Sequence, residues 1–283
     1  MDKQNALTLR EVQLGEYEVL KKVVKICEEN NFRYFLTYGS MLGAVRHQGI
    51  IPWDDDIDIM MPRPDYEKIK KYFLDNEEEL KPLKIFDKSV VEKYPHMIIR
   101  ISDQRYHLIF DNEKDYDIGL FVDIYPIDGV GNDFMAAKKL VKKTKRLASL
   151  CFLTGRKSFG VDNTKSIKKM IIKFPAFLWA KLNGNNHYIL KLDKLAKTYD
   201  YNNSKYVACV AWPPKIYDKE KIVFTKEIME ETIDWKFENS EFKILKKYDE
   251  FLSANYGDYM TPPSEKGKKT NHTYKAYKRK EKK

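Results

Sequence analysis

The sequence predicts an α+β protein, a mixed α/β core with flanking helices and a basic helical insertion. Three observations carry this expectation. Helix-period and strand-period apolar patterns alternate over the first 130 residues. A long lysine-rich helical stretch interrupts them after residue 130. With 283 residues, 43% hydrophobic and 33% charged, the chain can bury a sizeable core and lies outside the disordered class.

The elements follow in order. Residues 9–29 read as a helix, with Leu20, Val23, Val24 and Cys27 on one stripe and Asn30-Asn31 ending it. Arg33 to Tyr38 reads as a short aromatic-rich strand closed by Gly39-Ser40. Met41 to His47 is a turn or two of helix, Gln48 to Asp55 a loop, and Asp56 to Met61 an alternating strand. Pro64 starts another helix bearing Tyr66, Ile69, Tyr72 and Phe73. His96 to Asp103 and Tyr106 to Asp111 read as two strands joined by a tight turn, and Leu120 to Ile127 as a further strand. A basic helical region follows to about residue 200, and then a mixed segment that includes a helix from Phe242 to Asn255. The organisation predicted is a core over 1–130, a basic helical region over 131–200, a C-terminal part of the body over 201–265 and a flexible basic tail over 266–283.

The polar opening residues contain no apolar signal region, and no stretch is long enough to span a bilayer, so a cytoplasmic protein is expected. Cys27, Cys151 and Cys209 are too far apart for a disulfide framework or a paired-cysteine zinc site. Of the net charge of +10, the tail from Lys266 supplies +8 and Lys138–Lys173 supplies +11, so the remainder carries −9. Two basic stretches on an acidic body imply an anionic partner met by those stretches. Leu140, Thr144, Leu147 and Cys151 mark a basic amphipathic helix. Ile167, Met170, Ile171, Phe174, Leu178 and Leu182 mark a second one, with Lys165, Lys168, Lys169 and Lys181 outside the stripe and a kink expected at Pro175. Lysines beside Phe174, Phe177 and Trp179 suit an anionic membrane interface; a helix pair packed on the body suits the pattern equally well. Nucleic acid is the least favoured partner, because no recognition module is present. The tail reads either as a solubilising end or as an anion-binding one.

The most informative segment is Trp53-Asp54-Asp55-Asp56-Ile57-Asp58-Ile59. In a strand Asp56 and Asp58 share a face while Ile57 and Ile59 enter the core. Two carboxylates held that close repel, which a divalent cation relieves; oxygen ligands suit Mg²⁺ or Mn²⁺. A solvated acidic loop accounts for Asp54 and Asp55 but poorly for Asp58. An EF-hand fails, since Ile59 stands where the calcium loop needs glycine and Asp65 where it needs glutamate. Tyr38-Gly39-Ser40, between a strand and a helix, points backbone N–H groups and the Ser40 hydroxyl at an anion. Phe121-Val122-Asp123-Ile124-Tyr125 buries a third carboxylate, whose solitary burial costs several kcal/mol. Its partner is either a metal shared with Asp56 and Asp58 or a buried ion pair.

These residues resemble the LicD family of phosphocholine transferases. The resemblance rests on Tyr34-Phe35-Leu36, on Tyr38 to His47, on Gly49 to Pro52 and on Trp53 to Asp58, a highly specific block. Phe121 to Gly129 is similar to an internal strand of that family, and Tyr256-Gly257-Asp258-Tyr259-Met260 with Pro262-Pro263 to its C-terminal element. The family often has a histidine pair after that element, where this chain has Asn271-His272, and no role is assigned to His272. The resemblance covers most of the chain and implies a nucleotidyltransferase-like sheet. It further implies that Gly39 and Ser40 hold donor phosphates, that Asp56, Asp58 and Asp123 bind Mg²⁺ as catalytic residues, and that CDP-choline gives phosphocholine to a sugar hydroxyl on a lipid-linked cell-surface glycan precursor. Arg46 and Arg100 are candidates for phosphate contacts. Asp54 and Asp55 are candidate supports of the metal ligands. Tyr38, Trp53 and Tyr125 are candidate aromatic faces for a quaternary ammonium. Other CDP-activated polyols as donors, transfer of the nucleotide itself, and a non-enzymatic basic adaptor are the competing expectations.

Overall fold

The computed structural model describes residues 6–159, 167–213, 222–270 and 272–280. Helix α1 spans Leu9–Glu29. Its start is a reciprocal cap: the Thr8 hydroxyl accepts from the Glu11 N–H at 3.3 Å, and Glu11 Oε2 accepts from the Thr8 N–H at 2.7 Å. The stripe of Leu20, Val23, Val24 and Cys27 is buried as its spacing requires, and Asn31, at φ 55°, turns the chain out of the helix.

Strand β1 (Phe35–Leu36), helix α2 (Tyr38–His47), strand β2 (Asp58–Pro62) and helix α3 (Arg63–Asp75) come next. Strands β3 (Leu83–Phe86), β4 (Ile99–Asp103), β5 (Tyr106–Phe110) and β6 (Leu120–Gly129) follow, then helices α4 (Phe134–Gly155) and α5 (Ile167–Ala196). The chain continues through β7 (Tyr206–Ala208), β8 (Phe224–Thr225), α6 (Lys226–Glu230), β9 (Thr232–Phe237), β10 (Ser240–Leu245), α7 (Tyr248–Tyr256) and β11 (Tyr274–Lys278).

The main sheet runs β1-β2-β6-β4-β3, with β7 on β6 and β8 on β7. Strands β2 and β6 are parallel and the other pairings antiparallel. Strand β6 is buried along all ten residues, which its near-continuous apolar run requires of a central strand. Ile59, Ile99, Val122 and Ile124 from the sheet join Leu20 and Val23 of α1 and Ile69 and Phe73 of α3 in one core. This α+β architecture is the one the patterning predicts.

Strands β4 and β5 are joined by the expected tight turn at residues 104–105 and then part company: β4 lies between β3 and β6, while β5 pairs with β11. Three local expectations are corrected. The helix expected from Phe242 begins at Tyr248, because Phe242 and Ile244 are buried at strand spacing on β10, opposite Trp235 and Ile233 of β9. The tail expected to be flexible supplies β11, with Ala276 buried and its carbonyl accepting from the Leu7 N–H at 2.8 Å. Finally, α5 keeps helical dihedrals through Pro175 and breaks at Gly184 (φ 71°, ψ 165°), where a residue without Cβ has no steric objection to positive φ. Lys165 and Asn271 lie outside the described residues.

Candidate functional site

The site forms where α2, the loop before β2 and the middle of β6 converge. Helix α2 starts at Tyr38, so the Tyr38-Gly39-Ser40 turn is its first turn, and Thr37 makes no side-chain cap to it. The first N–H groups of such a helix have no partner within the helix and favour an anion. The Ser40 hydroxyl oxygen accepts from the Asp58 N–H at 2.8 Å, and the Thr37 N–H donates to the Asp58 carbonyl at 3.0 Å. The glycine turn and the acidic strand are thereby locked together. A Cβ at Gly39 would stand 2.4 Å from Asp54 Oδ2, so only glycine lets that carboxylate approach the turn.

Register places the two strand carboxylates side by side. Asp58 of β2 is paired with Asp123 of β6, and Asp123 with Arg100 of β4, across three adjacent strands. Arg100 holds Asp123 with Nε at 2.7 Å and Nη2 at 3.2 Å, and stacks 4.2 Å above the Phe121 ring. Asp123 therefore takes the ion pair, and the Arg100 fork is turned to this carboxylate rather than offered to phosphate. Asp58 Oδ1, in contrast, is buried with no hydrogen-bond partner. Burial, Asp56 and Asp123 push the Asp58 carboxyl well above the ordinary carboxylate range. Burial and the Asp56 charge push Asp54 up to about 8, and burial raises Asp56 as well.

Two residues of this site carry no expectation from the sequence. His272, just before β11, donates its N–H to Asp55 Oδ2 at 3.0 Å and sets Nδ1 3.3 Å from Asp55 Oδ1 and 3.8 Å from Asp56 Oδ2. Burial opposes its charge, but the Asp55 hydrogen bond and the Asp56 charge prevail and lift the imidazole to about 9. Tyr274 fastens the same loop, its hydroxyl donating to the Asp55 carbonyl at 2.8 Å. The available signal is the period-two run His272, Tyr274, Ala276 inside a basic tail. The other residue is Glu16 of α1, wholly buried with both oxygens unpartnered and pushed well up by burial and by Asp56, Asp55, Asp123 and Asp54. A carboxyl on the apolar stripe of α1, four residues before Leu20, is its sequence signal. Three residues earlier, Gln13 Nε2 donates to the carbonyls of Ile51 at 3.2 Å and Asp54 at 2.8 Å, tying α1 to the acidic loop.

Among the described residues, the metal-ligating atoms that lie within 4.8 Å of one another belong to Asp55, Asp56 and His272. That group shares Asp56 with the expected trio of Asp56, Asp58 and Asp123, whose Asp123 is engaged by Arg100. A divalent cation nevertheless fits: an unpartnered Asp58 oxygen and several carboxylates of raised proton affinity face the cationic groups Arg100 and His272.

The remaining expected residues surround this centre. Arg46 Nη1 donates to the Tyr259 carbonyl at 2.6 Å, tying α2 to the element after α7. Tyr38 and Tyr125 meet edge to face with centroids 5.2 Å apart. Trp53 packs on His47 at 5.7 Å and carries Lys268 Nζ 5.2 Å from its centroid, so one aromatic face is already seen to take a cation. Asp128, in the same apolar strand as Asp123, is buried and receives Arg63 Nε at 2.7 Å.

Residues 31–152 match the family "LicD/FKTN/FKRP, nucleotidyltransferase domain". The chain is 30% identical over 277 residues to "Lipopolysaccharide cholinephosphotransferase LicD" of Haemophilus influenzae, covering 96% of this chain and 98% of that protein. It is 31% identical over 144 residues to an uncharacterised protein of Rickettsia typhi, covering 47% of this chain and 39% of that one. A stretch of 42 residues is 50% identical to human "Ribitol 5-phosphate transferase FKRP", covering 15% of this chain and 8% of that protein.

Proposed function

Because this chain belongs to the LicD family and is a transferase, we propose that it moves phosphocholine from CDP-choline to a sugar hydroxyl of a lipid-linked cell-surface glycan precursor, of lipopolysaccharide or teichoic acid type. The observation that carries the reading is the near full-length similarity to a lipopolysaccharide cholinephosphotransferase, joined to an acidic centre set against an uncapped glycine turn.

The chemistry follows from the residues. The first N–H groups of α2, at Gly39 and Ser40, face the donor diphosphate. The acceptor hydroxyl oxygen forms a bond to the phosphorus bearing choline as the bond from that phosphorus to the CMP oxygen breaks, and CMP leaves. Asp56 and Asp58 would hold Mg²⁺ or Mn²⁺, which would neutralise charge on the phosphate oxygens. Asp54, whose carboxylate lies against the Gly39 turn, is the residue placed to accept the hydroxyl proton. Both carboxylate oxygens of Asp123 are instead engaged by the Arg100 fork. The faces of Tyr38, Trp53 and Tyr125 are the sites for a quaternary ammonium, which offers no N–H to a hydrogen-bond acceptor.

Thermal unfolding with Mg²⁺ and CDP-choline, CDP-ribitol, CDP-glycerol, CTP or ATP tests the reading. A ligand at a hundred times its Kd stabilises by about 2.7 kcal/mol, raising Tm by several degrees. A Mg²⁺-dependent rise with CDP-choline, and CMP as the product of turnover, are the outcomes expected. A rise with another CDP-alcohol alone reassigns the donor. A rise with CTP or ATP alone, with pyrophosphate released, replaces the reading by nucleotide transfer.

A further inference from the structure

Gly184 divides α5 into halves with opposite surroundings. In the half after it, Tyr188 and Leu192 pack with Ala148 and Cys151 of α4, and Ala196 with Ala137 and Val141. In the half before it, Ala180 alone of residues 171–182 is buried. Lys181 Nζ fastens this half to the end of α4 by donating to the Thr154 carbonyl at 2.8 Å and to the Arg156 carbonyl. At 3.6 residues per turn, Ile171, Ile172, Phe174, Leu178, Trp179 and Leu182 fall on one face, turned away from Ala180. Ile172 is 77% exposed, Leu182 75% and Trp179 61%. The amphipathic helix is thus mounted with its apolar side outward, and burial of that side is left to something other than the protein's own core.

We propose that this half of α5 seats the protein in the interfacial layer of an anionic phospholipid membrane. The apolar face is a single helix wide, and no helix among the described residues is long and apolar enough to cross a membrane, so the helix lies in the surface. Lys168 and Lys173 on α5 and Lys139, Lys142, Lys143 and Arg146 on α4 are exposed around it. From Phe134 to Ala196 the acids are Asp162 and Asp193, and Asp193 is engaged by Lys88 and Lys197. A second copy docking through this face would bring like charges together, whereas anionic headgroups neutralise them. Docking stands on this face alone; that the docked enzyme there meets a lipid-borne acceptor rests on the phosphocholine-transfer reading.

Vesicle co-sedimentation of the full chain, without donor, tests the proposal. The wild type is expected to partition onto vesicles containing phosphatidylglycerol, weakly onto pure phosphatidylcholine, and less at high salt. Leu178→Ser with Trp179→Ser is expected to weaken partitioning at least about tenfold, with Tm unchanged because both side chains are exposed. Lys168→Glu with Lys173→Glu is expected to remove the preference for anionic lipid. Three results would each overturn it: no binding by the wild type, equal binding by the Leu178/Trp179 variant, or a wild-type dimer that this variant converts to monomer. Since no donor is present, failure of the phosphocholine reading leaves this measurement intact, and donor binding in solution is unaffected if docking fails.

Discussion

The Arg100 guanidinium grips both carboxylate oxygens of Asp123, and the two residues sit opposite each other on adjacent strands at the buried centre of the sheet. The pair resolves the cost of a carboxylate in an apolar strand and gives each member a structural duty beside the reaction centre.

Removing one partner leaves the other charge buried and alone. Arg100→Met and Asp123→Asn are each expected to destabilise by about 3–5 kcal/mol, and the double replacement Arg100→Met with Asp123→Leu to recover most of that loss. Urea unfolding of the four proteins measures it. A single Asp123→Asn change that left the urea midpoint in place would show that the ion pair contributes nothing to the fold.

His272 is expected to act on the site rather than on stability. Its bonds to Asp55 and its closeness to Asp56 hold the acidic loop from the C-terminal side. His272→Ala should reduce turnover, and the affinity for Mg²⁺ or Mn²⁺, by about 10–100-fold. Steady-state rates and metal titration on the same preparation measure both. Unchanged metal affinity with full turnover would make the contact incidental.

These two residues also mark where the sequence stops being legible. The acids of β2, the glycine turn and the helices α1 to α3 are local: Asp58 between Ile57 and Ile59 announces itself through the two-residue strand period. The partner of Asp123 depends on β4 lying beside β6 rather than beside β5, a choice made by packing and register. His272 is 217 positions from Asp55, and only the pairing of β11 with β5 brings it home. Glu16 shows in the sequence only as a carboxyl on an apolar stripe, and its neighbours come from β6 and the loop before β2, which only the fold brings to it. The break at Gly184 is hidden in the sequence for a different reason. Proline interrupts helices by steric rule, whereas a glycine reveals its left-handed state only once the chain is folded.

Gly39 separates activity from stability in the opposite sense to Arg100. An alanine methyl there would meet Asp54 Oδ2 at 2.4 Å, and the carboxylate, at the end of its side chain, can swing aside. Gly39 lies in the first turn of α2, where alanine is also the better helix former. Gly39→Ala is therefore expected to leave Tm unchanged or slightly raised while kcat/KM falls by about a hundredfold, the usual consequence of a catalytic group displaced by an ångström. Retention of wild-type kcat/KM would remove Asp54 from the reaction centre.

Acid unfolding reports on a cluster behind the site. Glu113 lies 3.7 Å from His96 and 3.6 Å from Arg156, largely buried. Burial alone would raise its carboxyl, but the neighbouring His96 and the charges of Arg100 and Arg156 outweigh it and bring the group down to about 2 from its ordinary 4.5. A carboxylate depressed in the folded state stabilises above its unfolded pKa and loses that contribution as pH falls through the folded one, here between 4.5 and about 2. His96 is lowered by burial and by Arg100, so unfolding releases a stronger base and acid begins to destabilise below its ordinary 6.5. Urea midpoints for the wild type should therefore fall in two limbs on acidification. In Glu113→Gln the upper limb from His96 should persist, the lower one should flatten, and stability at pH 7 should already be reduced by the missing ion pairs. Parallel lower limbs in the two proteins would assign the acid sensitivity to other carboxylates.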